Sequence, residues 1–552
     1  MIKQKLKQRL DACFEQGIEK GYWASQAAGT YTVEKPKQAA HGDFSTNMAM
    51  IIGGRERKNP REIAARLVEM MQEHTDLIAG IDIAGPGFVN FTLHKEIWQT
   101  VLPEVCEQGE RFGKSQIGDG RKVLVEFVSA NPTGPLSVGH GRQAVLGDAI
   151  CRLLEGTGHA VTREYYYNDA GRQMRVLGES VRARYLEQLG KDADFPEDGY
   201  QGEYIREIAA DMIERYGDSL VDHEDVSPFT GSAEKAIFND INGTLLRLGI
   251  EFDNYYNEHS LYEDGFVDDV VATLREKGLV YDQDGAVWFK STEFGMEKDR
   301  VIIKSSGEPT YRLPDIAYHR EKFKRGFDWM VDIFGSDHIA TVPDVMAGLQ
   351  ALGYDHTRVT VVLHQFVTLM REGKQVKMST RKATFVTVDE LLDEVGADVV
   401  RFFFLMRKAD SQLEFDLDLA ARQSQENPVY YMQYGHARLA SINRKAEEKG
   451  VGRGELSQAP VHLLTEPEEL DLLKSMAAYP EVVENAALAL EPHRVIFYMQ
   501  DLAGRFHSYY NKHRIISDDA ELSRARLWLA EALRVILYNG LTLIGVKAPD
   551  SM

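Results

Sequence analysis

Short apolar runs alternate with helix-period segments through the middle of the chain. Residues 123–128 form a β-rich apolar run, the pattern of a buried strand. Asn131-Pro132-Thr133-Gly134-Pro135 cannot continue it and must turn. From Gly141 onward, Val145, Leu146, Ala149, Ile150, Leu153 and Leu154 recur at helical spacing until Gly156 and Gly158 end the run, and a second strand follows at about 160–167. Such a strand–helix–strand unit is right-handed, has parallel strands, and opens its ligand crevice at their carboxyl ends. The same grammar returns as a strand at 328–334, a helix at 342–352 and an apolar strand at 359–363, predicting the second half of a doubly wound sheet. Residues at about 180–300 read as an insertion of acidic helices, a loop at 217–230 and strands near 286–290 and 301–304.

The flanks differ. Residues 1–115 predict an α+β domain: an amphipathic first helix, a loop with Lys35, Lys37, His41 and Asp43, a helix near 60–73 and a half-buried strand at 87–93. From about Val388 the chain reads as helical almost throughout, with long periodic segments at 427–446, 481–510 and 523–543, the pattern of a bundle. The expected division is therefore 1–115, an α/β core at 116–385, and an all-α domain at 386–552.

Composition narrows the function classes. No run of roughly 18 apolar residues occurs, so no membrane span is expected, and charges interrupt every apolar run of the first helix, unlike a secretory signal. Cys13, Cys106 and Cys151 are scattered singly, offering neither a disulfide framework nor a zinc knuckle and suiting a reducing cytoplasm. The net charge is −21. Residues 1–110 carry 13 Lys/Arg against 15 Asp/Glu, and residues 430–552 carry 14 against 16, so 111–429 holds −17 of it. An acidic middle suits a cationic small substrate, while near-neutral ends leave room for basic patches facing a polyanion.

Candidate chemistry lies at the first turn. In Ser137-Val138-Gly139-His140, Gly139 lets a flat ring approach the backbone, and His140 opens a helix whose free N–H groups favour phosphate oxygens. A Gly- and Lys-punctuated loop follows the last apolar strand and contains Lys374, Lys377-Met378-Ser379-Thr380, Arg381 and Lys382. If the sheet is doubly wound, both loops flank one crevice. Tyr311 and Asp315, spaced by four, share a helical face if 312–319 is a helix. Glu126 is an acid within an apolar strand, which requires a partner. Tyr430, Tyr431, Tyr434, His436 and Arg438 crowd one C-terminal helix, mostly as core by composition, although stacking on unpaired bases uses the same residue types.

These two loops resemble the HIGH and KMSKS signatures of class I aminoacyl-tRNA synthetases. The surrounding wording, VEFVSANPTGPLSVGHGR, YYYNDAGRQ, FDNYYNEHSLY, TYRLPDIAYH, DEVGADVVRFFFLMR, ENPVYYMQYGHARL and GVKAPDSM, resembles the bacterial arginyl-tRNA synthetase family essentially end to end. The resemblance implies a class I Rossmann-type core, an N-terminal tRNA-contacting domain and a C-terminal anticodon-binding bundle. It implies ATP-dependent activation of L-arginine and transfer to the terminal ribose of tRNA(Arg), with ATP as a magnesium complex, no zinc, and a cytoplasmic monomer. Carried over residue by residue, the HIGH-type region is Ala130, Asn131, Pro132, Thr133, Gly134, Pro135, Leu136, Ser137, Val138, Gly139 and His140. His140, Lys377 and Ser379 are the catalytic candidates. Pro132, Gly139, His140, Gly141, Asp337, His338, Lys377 and Met378 would bind ATP. Glu126, Ser129, Asn131, Tyr311 and Asp315 would bind arginine, and Asn427, Tyr430, Tyr434, His436 and Arg438 would contact tRNA. Two positions depart from the signatures: Ser137 replaces the first His and Thr380 the second Lys, whose cation Arg381, Lys382 or Lys374 could supply. The rival readings are another class I synthetase, a small nucleotidyltransferase sharing a Gly-His loop, which the long helical tail disfavours, and a non-catalytic tRNA-binding paralogue, for which Ser137 and Thr380 are the only support. Nothing in 180–300 marks a hydrolytic editing domain.

Overall fold

The computed structural model describes residues 2–25, 29–74, 76–376 and 386–552, so Lys377–Lys382 lies outside the described residues. Its centre is a five-stranded parallel sheet in the order Val359–His364, Trp329–Gly335, Lys122–Glu126, Ala160–Tyr167, Asn254–Asn257. Winding starts from the middle strand and reverses between Lys122–Glu126 and Trp329–Gly335, which places a crevice at the carboxyl ends of those two strands.

Two expectations need correction here. The first strand stops at Glu126, because Val128 and Ser129 take left-handed backbone angles (φ +68° and +43°) that no strand accommodates. A β-branched residue there costs on the order of 1–3 kcal/mol, and the turn sets the Ser129 hydroxyl to donate to Glu126 and accept the Tyr166 N–H. Gly147 makes room for that turn: a Cβ on it would stand 2.2 Å from the ring of Phe127. Second, the supposed insertion at 180–300 contains a core strand, Asn254–Asn257. Its four polar and aromatic residues on a half-exposed sheet edge carry no apolar period. The excursion is therefore two: a three-helix crossover (Gly171–Gln188, Glu203–Tyr216, Ser227–Arg247) before that strand, and a small unit after it. That unit packs helix Phe266–Glu276 near the antiparallel strands Val280–Gln283, Ala286–Phe289 and Arg300–Ile303.

The N-terminal domain joins an antiparallel four-stranded sheet to helices that include Ile2–Glu19, Met48–Glu56 and Pro60–Met71. Ile2, Leu6, Leu10 and Cys13 bury one face of helix Ile2–Glu19, as its amphipathic pattern predicts. Asp43, in the loop before the second strand, is a fastener: its carboxylate accepts the Leu93 N–H at 2.8 Å and pairs with Lys474 at 2.5 Å, tying this domain to helix Pro467–Ala489. In the C-terminal part, the run at 481–510 breaks into Pro467–Ala489 and His493–Lys512 at Leu490 (φ +56°). Strand Leu413–Asp416 also interrupts the expected all-helical stretch by pairing with Val367–Arg371.

One buried cation binds these parts together. Arg401, on helix Ala397–Leu405, donates to the carbonyls of Ile544 (3.0 Å) and Leu248 (2.9 Å) and pairs with Asp148 of helix Val138–Gly156. Arg152 adds a second partner to Asp148 at 2.7 Å. Burial would raise the Asp148 pKa, but Arg401 and Arg152 outweigh it and hold the carboxylate below its usual range. Arg401→Met is expected to lower unfolding free energy by about 3–5 kcal/mol in urea denaturation, the cost of orphaning a buried partner. A loss under about 1 kcal/mol would show the clasp to be dispensable.

Candidate active site

At the reversal point, Ser137 caps helix Val138–Gly156 and shares a reciprocal cap with His140: the Ser137 hydroxyl accepts the His140 N–H (3.5 Å), and the Ser137 N–H donates to His140 Nδ1 (3.3 Å). Since Nδ1 accepts, the ring proton sits on Nε2. Burial lowers the His140 pKa below its ordinary value against the opposing charge of Asp337, so the ring is a neutral donor. Ser137 thus has a structural reason to stand where the signature has His. Asp337 comes from the turn Ser336–Ala340 after the fourth strand of the chain's core sheet, and His364 ends the fifth. Burial, with Arg142 and His140 nearby, drives His364 down to about 4. Three strand ends therefore meet around one neutral imidazole pair.

The far end of the second signature segment is stitched to this turn. Ser137 and Thr387 form an antiparallel bridge, and the Val388 N–H donates to the Leu136 carbonyl at 2.9 Å. The described residues that follow the second loop thus reach the first, while Lys377, Met378 and Ser379 lie outside the described residues. A Cβ on Gly139 would meet only Ser137 Oγ, at 3.7 Å, leaving its crevice side open. Gly141 does not fit the nucleotide contact expected of it. A Cβ there would strike Val388 at 2.8 Å and Phe404 at 3.2 Å, and its N–H is taken by Ser137, so it is a packing glycine. Pro132 is buried, Asp337 and His338 are exposed, and the His338 ring stacks on Phe334. Asn131 braces its loop, accepting the Asn168 N–H at 3.0 Å and donating to Gln173 at 3.2 Å.

A second cluster lies beside it, under helix Arg312–Lys324. Asp315, Tyr318, His319 and Lys322 occupy positions i, i+3, i+4 and i+7, the face a helix buries against a sheet. Glu126, 2% exposed, accepts Lys322 Nζ at 2.5 Å and the Ser129 hydroxyl at 3.0 Å. Asp315 differs: among the described residues no hydrogen bond to its carboxylate occurs, and burial, aided by Glu126 and Glu258, pushes it up to about 7 despite His319 and Lys322. Glu258, just past the edge strand Asn254–Asn257, is likewise raised by burial although Tyr166 donates to it at 2.9 Å. Tyr166 and Tyr262 lie within the fields of both acids. Two carboxylates short of counter-charge, with tyrosines around them, make a site for one cationic group. Sequence reasoning missed Glu258; its signal is an acid directly following a short Tyr-rich strand. Tyr311 is not brought in: its side chain is 86% exposed at the helix start, away from Asp315.

Of the five residues expected to meet tRNA, two are structural. Asn427 caps helix Pro428–Glu448, accepting the Val429 N–H and donating to the Ala420 and Arg422 carbonyls. His436 is buried against the Pro549 carbonyl at 2.9 Å. Tyr430 and Tyr434 stack along the helix, and the Arg438 guanidinium lies 5.6 Å from the Tyr434 ring and 4.3 Å from that of Tyr510, a half-exposed aromatic–cation stripe.

A parallel sheet that reverses at a His-bearing helix N-terminus, followed by a helical domain, is the architecture of a class I aminoacyl-tRNA synthetase. The family models agree. "tRNA synthetases class I (R), catalytic domain" matches residues 101–403, "Arginyl tRNA synthetase N terminal domain" 1–93, and "DALR anticodon binding domain" 432–552. An arginine–tRNA ligase of Desulfotalea psychrophila is 63% identical over the whole of both chains, and one of Syntrophotalea carbinolica is 49% identical over the whole of both. The Thermus thermophilus arginyl-tRNA synthetase structure, 22% identical, superposes over the whole of both chains with a TM-score of 0.75 and supports the fold. The chain belongs to the arginyl-tRNA synthetase family.

Proposed function

We infer that this chain is an arginine–tRNA ligase, which activates L-arginine with ATP and transfers it to tRNA(Arg). The observation that carries the substrate is the pair Asp315 and Glu258, both raised by burial and both short of counter-charge, beside the nucleotide crevice. A guanidinium offers a planar fork that carboxylates accept in pairs, which an ammonium cannot match. With that group held by Asp315 and Glu258, the α-amino end lies toward Ser129 and Glu126. The substrate carboxylate then faces the helix N-terminus.

There the ATP phosphates accept from the His140 Nε2–H and the first helical N–H groups. The carboxylate oxygen attacks the α-phosphorus, the bond to the bridging oxygen breaks, and pyrophosphate leaves with its electron pair. No covalent enzyme intermediate is needed; the protein positions the reactants and stabilises the charge on phosphorus. In the second step the terminal ribose hydroxyl of tRNA attacks the arginyl carbonyl and AMP departs. Lys377, Met378 and Ser379 keep the role the resemblance gives them, contacts to the nucleotide and the leaving pyrophosphate. Magnesium would arrive on the nucleotide. Asp337, an exposed carboxylate beside His140, fits a largely hydrated ion held mainly by phosphate oxygens. Tyr430, Tyr434 and Arg438 would stack on unpaired bases of the tRNA. No helix among the described residues is long and apolar enough to cross a membrane, and all three cysteines are free; a cytoplasmic monomer is what the family resemblance implies.

The test is ATP–pyrophosphate exchange with each amino acid in turn, with and without tRNA; exchange driven by an amino acid other than arginine refutes the reading. The pH profile gives a sharper form. Asp315 must be ionised to hold a guanidinium, and its pKa in the free protein is about 7. kcat/KM for arginine should therefore rise about tenfold per pH unit below 7 and level off above it, since this parameter reports the free enzyme. A profile flat from pH 6 to 8 would remove Asp315 from the arginine site.

A further inference from the structure

Glu126 and Asp332 are direct neighbours on adjacent parallel strands, two carboxylates pointing into the same buried layer. Like charges at that spacing repel strongly unless a cation separates them. Lys322, fully buried, is that cation: its Nζ lies 2.5 Å from Glu126 and 2.6 Å from Asp332. It also sits 4.3 Å from the centre of the Tyr318 ring. The Asp332 carboxylate makes a second bond, to His319 Nε2 at 2.9 Å, and the other ring nitrogen, Nδ1, lies 2.7 Å from the Asp315 carbonyl oxygen. Both of these partners accept, so the ring bridges the Asp332 carboxylate and the Asp315 backbone. An unbroken line of contacts thus runs from Glu126 through Lys322, Asp332 and His319 to the backbone of Asp315. Lys322 and His319 are engaged along this line, and neither makes a direct bond to the Asp315 or Glu258 carboxylate.

We propose that Lys322, Asp332 and His319 are positioning residues, a buried hydrogen-bonded strut that fixes the distance between Glu126 and Asp315 and so sets the length of the cationic amino acid the pocket accepts. This rests on the reading that Asp315 and Glu126 face the two ends of arginine. Neither end of the strut is free to yield. Glu126 belongs to the central strand, and Asp315 opens a helix bolted down at i+4 and i+7. A ligand longer by one methylene can fit only by moving the helix, which breaks a buried ion pair.

Lys322→Met would leave two buried carboxylates unpaired and risks unfolding. The test therefore uses His319→Asn, which keeps a donor for the Asp315 carbonyl, and His319→Gln, which keeps one for Asp332; each opens one joint. The probes are L-arginine and L-homoarginine, which differ by one methylene. The native preference is expected on the order of 10–200-fold, the discrimination one methylene allows. Both variants should lower that ratio at least fivefold, through a higher KM for arginine, with KM for ATP unchanged. Lys322→Arg, which keeps the charge and lengthens the middle of the strut, is the second route and should shift the ratio toward homoarginine. A ratio within twofold of native in either His319 variant overturns the strut, even if the melting temperature falls, since a merely structural role lowers stability without relaxing length selection. Asp315→Asn and Glu126→Gln serve as the control on the underlying reading. If they leave the KM for arginine unchanged, that reading fails, independently of the strut.

Discussion

Replacing Asp315 by Asn should lower kcat/KM for arginine by about 10³-fold or more while KM for ATP stays within about twofold. The loss is large because a buried site built around one hydrogen-bonding group leaves that group unpaired when its partner changes, and such sites discriminate by ~10⁴ or more. Lysine carries the same charge on a similar stem, so a diffuse negative pocket would admit both; a carboxylate pair matched to a planar fork would not. Measuring kcat/KM for arginine and lysine in both proteins decides this. Comparable charging of lysine by the native protein, or an equal loss toward ATP, would defeat the assignment. The variant has a second signature, in stability. A carboxyl raised from about 4 to about 7 on folding contributes nothing below pH 4, where it is protonated in both states, and costs progressively more as pH rises to 7. Asp315→Asn should therefore stabilise the fold increasingly between pH 4 and 7, with no further gain above. A loss that grows from pH 4 upward instead would mean that folding favours the ionised acid.

His140→Ala should leave the fold intact and cut aminoacylation by about 10²–10³-fold, the scale of losing one donor aimed at developing charge. Its effect falls on kcat, because a neutral imidazole donor strengthens as the phosphorus gains charge. His140→Gln, which can hold a donor near the Nε2 position, should recover part of the loss. The neutral state also predicts little change in activity through this group between pH 7 and 9. Near-native kcat in His140→Ala would remove the residue from the phosphate site.

The parallel core was legible because its strands are buried on both faces and read as continuous apolar runs, as in 123–128 and 359–363. Its edge was not. Asn254–Asn257 pairs through its backbone and through polar and aromatic side chains with no apolar period, and Glu258, which follows it, was hidden with it. The strand end at Val128 was misread for a related reason: apolar character marks burial, and it does not encode the left-handed turn that a tightly packed neighbour imposes. Apolar period also ran through Leu490, where only a backbone angle breaks the helix. In the active site, His140 was legible from its place at a helix start and Asp315 from its spacing and the motif around it, whereas His319 and Lys322, at i+4 and i+7 from Asp315, read as a solvated helix face, and Asp332 is a single acid within an apolar strand whose partner the sequence does not name. The buried charges of their neighbours turn that face inward.

The Arg401 clasp also orders events during synthesis. Its partners lie 253 residues before it (Asp148), 153 before it (Leu248) and 143 after it (Ile544). At ribosomal speeds of about 5–20 residues per second, Ile544 is polymerised roughly 7–30 s after Arg401. Through that interval the catalytic sheet can assemble, but one guanidinium N–H at its back has no carbonyl to meet and must stay open to water. Until the helical domain arrives, the side of helix Val138–Gly156 that Pro467–Ala489 and Ala520–Leu543 cover stays open to water.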